Sequence, residues 1–121
     1  MIEMHGLTKA YRTSDIETTA LDNINLEVST GEFIAIMGTS GCGKSTLLNV
    51  MGMLDSPGSG RYSFLGEDVA GYSESKLADI RKHNIGFIFQ SFNLVDELTV
   101  AENVMLPLLY QNVASAERDQ R

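Results

Sequence analysis

Residues Gly38, Thr39, Ser40, Gly41, Cys42, Gly43, Lys44, Ser45 and Thr46 satisfy the pattern G-x-x-x-x-G-K-[ST], and they stand between an apolar run and a helix-forming run. Such a stretch reads as a phosphate-binding loop. The preceding residues 33–37 (FIAIM) are short, continuous and apolar, which is the signature of a parallel strand buried on both faces. Residues 46–51 (TLLNVM) can continue as a helix. A loop in this setting implies an α/β fold with its ligand at the carboxyl end of the 33–37 strand.

The spacing has a chemical reason. Glycines at 38, 41 and 43 remove the Cβ atoms that would block positive φ angles, so consecutive N–H groups can point inward around a β-phosphate. The helix N-terminus adds free amides and the positive end of its dipole. Lys44 supplies a mobile point charge to the β/γ oxygens, and the Ser45 hydroxyl is placed to ligate the Mg²⁺ that bridges them. Thr46 donates to the α-phosphate. A Gly-rich turn with an incidental lysine would match the pattern by chance in roughly a few per thousand chains of this length, and the matching flanks reduce that further.

With 121 residues, 43% of them hydrophobic and only two prolines, the chain suits one globular domain and leaves little room for a second. A formal net charge of −7 gives no electrostatic support to a nucleic-acid-binding face or an anionic membrane-surface helix. Phosphate must therefore be held by local amides and Lys44. The single cysteine, Cys42, excludes an internal disulfide and a Cys-rich metal site, and its place inside the loop implies a reducing compartment, the cytosol. The N-terminus lacks a basic region followed by an apolar core, and no window approaches a membrane span; the expectation is a soluble chain without a signal peptide.

Alternation of Ile2 and Met4, and of Ile24, Leu26 and Val28, with polar residues predicts half-buried strands joined through the polar stretch 13–19. Residues 55–60 (DSPGSG) are dense in turn signals, and 61–66 (RYSFLG) alternate as another strand, so these early strands read as antiparallel. A short helix is expected over 73–82 with Ser73 as N-cap and Arg81 and Lys82 at its end. Residues 85–89 (IGFIF) predict a second apolar strand ending at Gln90, and a helix is expected from Thr99 through Val104 and Met105, with Pro107 marking a break or kink.

The upstream aromatic Tyr11, the loop GTSGCGKST at 38–46 and the stretch IGFIFQSFNLVDELTVAENVMLPL at 85–108 together resemble an ATP-binding-cassette (ABC) transporter ATPase. Within that superfamily the chain is most similar to the ATPase subunits of lipoprotein-releasing (Lol) and macrolide-export systems. The similarity spans nearly the whole sequence. The fold it implies is an α/β P-loop NTPase core with an N-terminal antiparallel β-subdomain, incomplete at its C-terminal half; residues 1–121 would be the N-terminal portion of a single domain.

The resemblance assigns roles. Tyr11 matches the A-loop aromatic whose ring stacks on adenine, while the bland reading is a tyrosine packed at a strand end. Gln90 matches the Q-loop glutamine that reaches the Mg²⁺ and the attacking water, so Lys44 and Gln90 are the catalytic candidates and Ser45 and Gln90 the metal-contacting ones. Residues 91–102 match the segment that faces the membrane permease, although Phe92, Leu94, Val95, Leu98 and Val100 also suit ordinary core packing. ATP and Mg²⁺ are the implied cofactors. A membrane permease and a head-to-tail dimer of the full-length protein are the implied partners, with a cytoplasmic location peripheral to the inner face of the cell membrane.

Other candidates are weaker. His5 and His83 have no metal-ligand or triad spacing, and Asp96 with Glu97 reads as solvated charge. Asp55-Ser56-Pro57-Gly58 fits a GTPase-like D-x-x-G, yet no N-K-x-D follows, and a turn explains it better. Met37, Met51 and Met105 are expected to fill core gaps.

The family's LSGGQ signature, Walker B Asp with its adjacent catalytic Glu, D-loop and switch histidine are not present before Arg121. The full-length protein is thus expected to be an ATP hydrolase driving export or membrane extraction. This chain alone is expected to bind MgATP weakly without turnover. The alternatives are a non-catalytic nucleotide-binding or assembly fragment, or another small P-loop NTPase.

Overall fold

The computed structural model describes residues 1–120 and divides into two compact units, Met1–Leu77 and the residues from Ala78 onward. In the first, β1 (Ile2–Arg12) and β2 (Glu17–Val28) form a long antiparallel pair, followed by α1 (Lys44–Met51), β3 (Ser59–Phe64) and β4 (Glu67–Asp68). The sheet order is β2-β1-β3-β4, and every pairing is antiparallel, as the alternating pattern predicts. The connection between β1 and β2 is tighter than the polar stretch 13–19 indicated, because Glu17, Thr18 and Thr19 pair with Arg12, Tyr11 and Ala10.

One face of this sheet carries the core. Ile2 and Met4 alternate with exposed Glu3 and His5, and an irregularity between Met4 and Leu7 inserts one extra residue, so that Leu7 rather than Gly6 is buried. Val28, Tyr62, Phe64 and Val69 complete the sheet's side, against Val50 and Met53 from α1 and the turn after it. The tyrosine is the polar exception inside this core: its hydroxyl donates to the Met51 carbonyl at 2.6 Å, and burial pushes its phenol well above the ordinary value. This bond ties the sheet to the C-terminal end of α1. Tyr62→Phe leaves that carbonyl without its partner and is expected to lower unfolding free energy by about 1–3 kcal/mol in urea titration, with little change in slope.

In the unit from Ala78 onward lie the later part of α2 (Glu74–Asn84), then α3 (Val100–Tyr110) and the single turn α4 (Ser115–Arg118). Helix α2 ends two residues beyond the expected limit, with Arg81, Lys82 and His83 at the negative end of its dipole. Helix α3 starts at a capping box. The Thr99 hydroxyl accepts from the Glu102 amide at 3.3 Å, and the Glu102 carboxylate accepts from the Thr99 amide at 2.8 Å. Of the break or kink expected at Pro107, the break is absent: the helix continues to Tyr110, and the Gln111 amide donates to the Pro107 carbonyl at 3.1 Å. A proline removes only its own N–H from the ladder, so the turns beyond it keep theirs.

Two strand expectations need correction. Residues 33–37 and 85–89 join no β-ladder among the described residues. Phe33 and Met37 are 94% and 88% exposed, and Phe87 and Phe89 stack on each other at 5.6 Å between ring centres. An apolar run encodes the tendency to be covered on both faces, whereas a strand exists only where another strand supplies its hydrogen bonds. Among the described residues Met37 is exposed, and Met51 and Met105 are only partly covered; the fully buried methionines are Met4 and Met53.

Candidate functional site

Gly43 stands at the N-cap of α1 with φ 91° and ψ 4°, and no side chain caps the helix. The first amide to find an intrahelical partner is that of Leu47, on the Gly43 carbonyl at 2.8 Å. The amides of Lys44, Ser45 and Thr46 thus belong to the open first turn, and no acidic residue lies there to oppose an anion. Lys44 folds back over the loop. Its ammonium donates to the carbonyls of Gly38 at 2.9 Å and Thr39 at 2.7 Å, and lies 3.7 Å from the Cys42 sulfur. These are exchangeable partners, so the charge is held beside the amide cluster and is free to turn to phosphate oxygens. Ser45 is exposed in the first turn and Thr46 half-buried beside it, so the donor set fits a magnesium-bound triphosphate.

The loop is seated on the β1–β2 pair at its glycine. A Cβ on Gly43 would lie 2.3 Å from the Ala20 carbonyl oxygen and 3.3 Å from Leu21 Cδ2, so the backbone approaches β2 as closely as only glycine permits. Leu21 pairs with Lys9, and Thr18 with Tyr11. The structure therefore brings Tyr11, at the end of β1, onto the same strand pair that carries Gly43 and the start of α1.

Tyr11 is 43% exposed and not packed away, and its hydroxyl donates to Asp55 at 2.8 Å. The same carboxylate accepts from Lys9 at 2.6 Å and from the Ser56 amide at 2.8 Å. Burial pushes the Asp55 carboxyl up, but the hydrogen bonds from Lys9, Tyr11 and Ser56, with the charge of Lys9, outweigh it and hold the group below the ordinary value. The turn expected at residues 55–58 is displaced: the hydrogen-bonded turn lies at Gly52 and Met53, residues 55–58 run on as bends and irregular chain, and the Gly58 amide donates to the Thr8 carbonyl at 2.8 Å. Sequence reasoning missed Lys9 and the role of the Asp55 side chain. They are 46 positions apart, and no local spacing links them.

Gln90 belongs to the second unit, where it is exposed in a bend after the 85–89 segment. Past it, Phe92, Leu94, Val95 and Val100 are all exposed in this chain. Leu94, Val95, Leu98, Val100 and Val104 line a cavity of about 300 Å³ whose polar margin is Asp96 and Asn103. Asn103 shapes it: its carbonyl oxygen accepts from the Val95 amide at 2.8 Å, and its amide group donates to the carbonyls of Val95, Leu98 and Thr99. His5, His83, Asp96 and Glu97 are exposed, as expected of solvated side chains.

The capping box beside this cavity titrates. Hydrogen bonds from the Thr99 hydroxyl and amide hold the Glu102 carboxyl below its ordinary value. A depressed carboxylate stabilises the folded state above its unfolded pKa, and that contribution is lost as pH falls through the folded one. The start of α3 is accordingly expected to loosen below about pH 4. Amide chemical shifts of Glu102 and Asn103 followed from pH 7 to 3 check this, and Glu102→Gln should flatten the response.

Comparison with known proteins agrees with this geometry. The family model for ABC transporters matches residues 21–121. Over its whole length the chain is 48% identical to a macrolide export ATP-binding/permease protein MacB of Azoarcus sp. (strain BH72), and spans 18% of that protein. It is 46% identical to the ABC transporter ATP-binding protein YvrO of Bacillus subtilis (strain 168), and spans 53% of it. Among solved structures, the ATP-binding cassette MJ0796, determined as a dimer in a post-hydrolysis state bound to ADP and Pi, matches 99% of this chain with a TM-score of 0.92 at 40% identity. The chain again spans 53% of that protein. With the phosphate loop, its seat on β2 and the family match in agreement, this chain belongs to the ABC transporter family as an ATP-binding domain related to the MacB type.

Proposed function

We propose that residues 1–121 are the N-terminal portion of one cassette domain and supply its MgATP-binding machinery. The observation that carries this reading is the loop itself, an uncapped helix N-terminus with Lys44 resting on its own loop carbonyls. In this assignment the amides of residues 38–46 surround the β-phosphate, Lys44 neutralises the β/γ oxygens, and Thr46 donates to the α-phosphate. Ser45 would hold the magnesium supplied with ATP, which would offset phosphate charge, and the resemblance gives Gln90 the metal-contacting role of the Q-loop glutamine. Tyr11 carries the adenine. Gln90 orients water for attack on the γ-phosphate.

In the full-length protein these groups serve an ATPase that dimerises head-to-tail and drives a membrane permease from its cytoplasmic side. The apolar cavity bounded by Leu94 and Val104 faces that permease. Relatives named for macrolide export favour export or membrane extraction, of macrolide or lipoprotein type, over uptake. The groups assigned here bind the nucleotide, and binding by these residues without turnover is the expected outcome. Calorimetry with MgATP, alongside a steady-state phosphate-release assay, tests both halves of the proposal. Saturable binding without turnover supports it; no binding by either this chain or its full-length parent overturns it.

A further inference from the structure

We propose that Asp55 and Lys9 are positioning residues for the nucleotide base, acting through Tyr11; the inference rests on the reading of Tyr11 as the adenine platform. A half-exposed tyrosine near a strand end has a free χ1 and χ2 unless something holds its ring. Here two groups do. Lys9 and Tyr11 are two residues apart on β1 and rise from the same face, and the Lys9 ammonium lies over the Tyr11 ring, 5.2 Å from its centre. Asp55 accepts the Tyr11 hydroxyl with one carboxylate oxygen and Lys9 with the other.

The triad is itself anchored. Lys9 also donates to the Ser56 carbonyl at 2.7 Å, and the Ser56 amide donates back to Asp55. The lysine and aspartate side chains are 15% and 29% exposed, so water competes poorly for their contact. With the lysine over one face and the hydroxyl pinned at the edge, the ring has one face left to offer a flat partner. A purine base is such a partner.

Asp55 also connects this platform to the phosphate site. The amides of Leu54 and Asp55 both donate to the Asn49 carbonyl, so the carboxylate is carried on the turn that closes α1. The start of the same helix is seated on β2 through Gly43. An eight-residue helix is about 12 Å long. One short rigid element thus sets the separation between the amides that hold phosphate and the acceptor that orients the base-stacking ring.

The test measures Kd for MgATP and for magnesium tripolyphosphate, which lacks the base, on the full-length polypeptide containing this chain. Stacking on the ring depends on its orientation, so partial misalignment in Asp55→Ala is expected to weaken MgATP binding about 3- to 10-fold. Tripolyphosphate affinity should stay within about 2-fold. In a Tyr11→Phe background, which has no hydroxyl to pin, the same Asp55→Ala change should cost less than about 2-fold. Asp55→Asn retains an acceptor and should restore most of the ATP affinity. Equal losses for both ligands, full additivity with Tyr11→Phe, or unchanged MgATP binding in Asp55→Ala would each overturn the proposal. If Asp55→Ala does not fold, Tyr11→Phe alone carries the test: it must weaken MgATP and spare tripolyphosphate. Tyr11→Ala separates the two levels. If it weakens MgATP while Asp55→Ala does not, only the positioning role fails; if it leaves MgATP unchanged, the platform reading fails and the positioning role with it.

Discussion

Lys44→Ala is expected to lower MgATP affinity by at least about 100-fold, the loss of two charge-assisted contacts at about 1.5–3 kcal/mol each. Lys44 is the only lysine or arginine in residues 38–51, and the other lysine described at the site, Lys9, is engaged by Asp55 and the Ser56 carbonyl. The same ammonium also joins the Gly38 and Thr39 carbonyls, so the variant loosens the loop itself. Calorimetric titration reads the effect directly, and a Kd within about 3-fold of the parent protein would remove Lys44 from the phosphate site.

Gly43→Ala is expected to abolish nucleotide binding by a different route and to destabilise the first unit as well. The alanine would have to keep φ 91° at the N-cap, a conformation that costs an L-residue about 1–2 kcal/mol. Its Cβ would also meet the Ala20 carbonyl at 2.3 Å, where backbone on both sides prevents an easy escape. The loop must then lift from β2, which displaces the amides of Lys44 and Ser45 together. Gly41→Ala is the matched control: it too places alanine at positive φ, 81°, but nothing lies within 4 Å of the new Cβ. Thermal melts and MgATP titrations of the two variants should therefore separate, with Gly43→Ala the more damaging in both. Similar melting temperatures would show that the seat on β2 contributes nothing.

Much of the site was legible in the sequence because its chemistry is local. The glycines, Lys44, Ser45 and Thr46 occupy nine consecutive positions, and the geometry that a phosphate needs is made by backbone angles within that stretch. The antiparallel character of β1, β2 and β3 was legible for a related reason, since alternation has a period of two. Residues 33–37 and 85–89 show the limit. Their composition states how buried they tend to become, but ladder hydrogen bonds are made with a second strand, and none of the described residues supplies one.

By itself, then, the sequence determined the phosphate loop, the family to which its motifs point and the elements whose rules act over two to four residues. Only the tertiary structure decided that Gly43 presses on Ala20, that the Tyr62 hydroxyl reaches the Met51 carbonyl and that Lys9 and Tyr11 share the carboxylate of Asp55. Each of these joins residues 11 to 46 positions apart. Their energies depend on distance in space and on exclusion of water, and neither quantity has a period or a spacing along the chain.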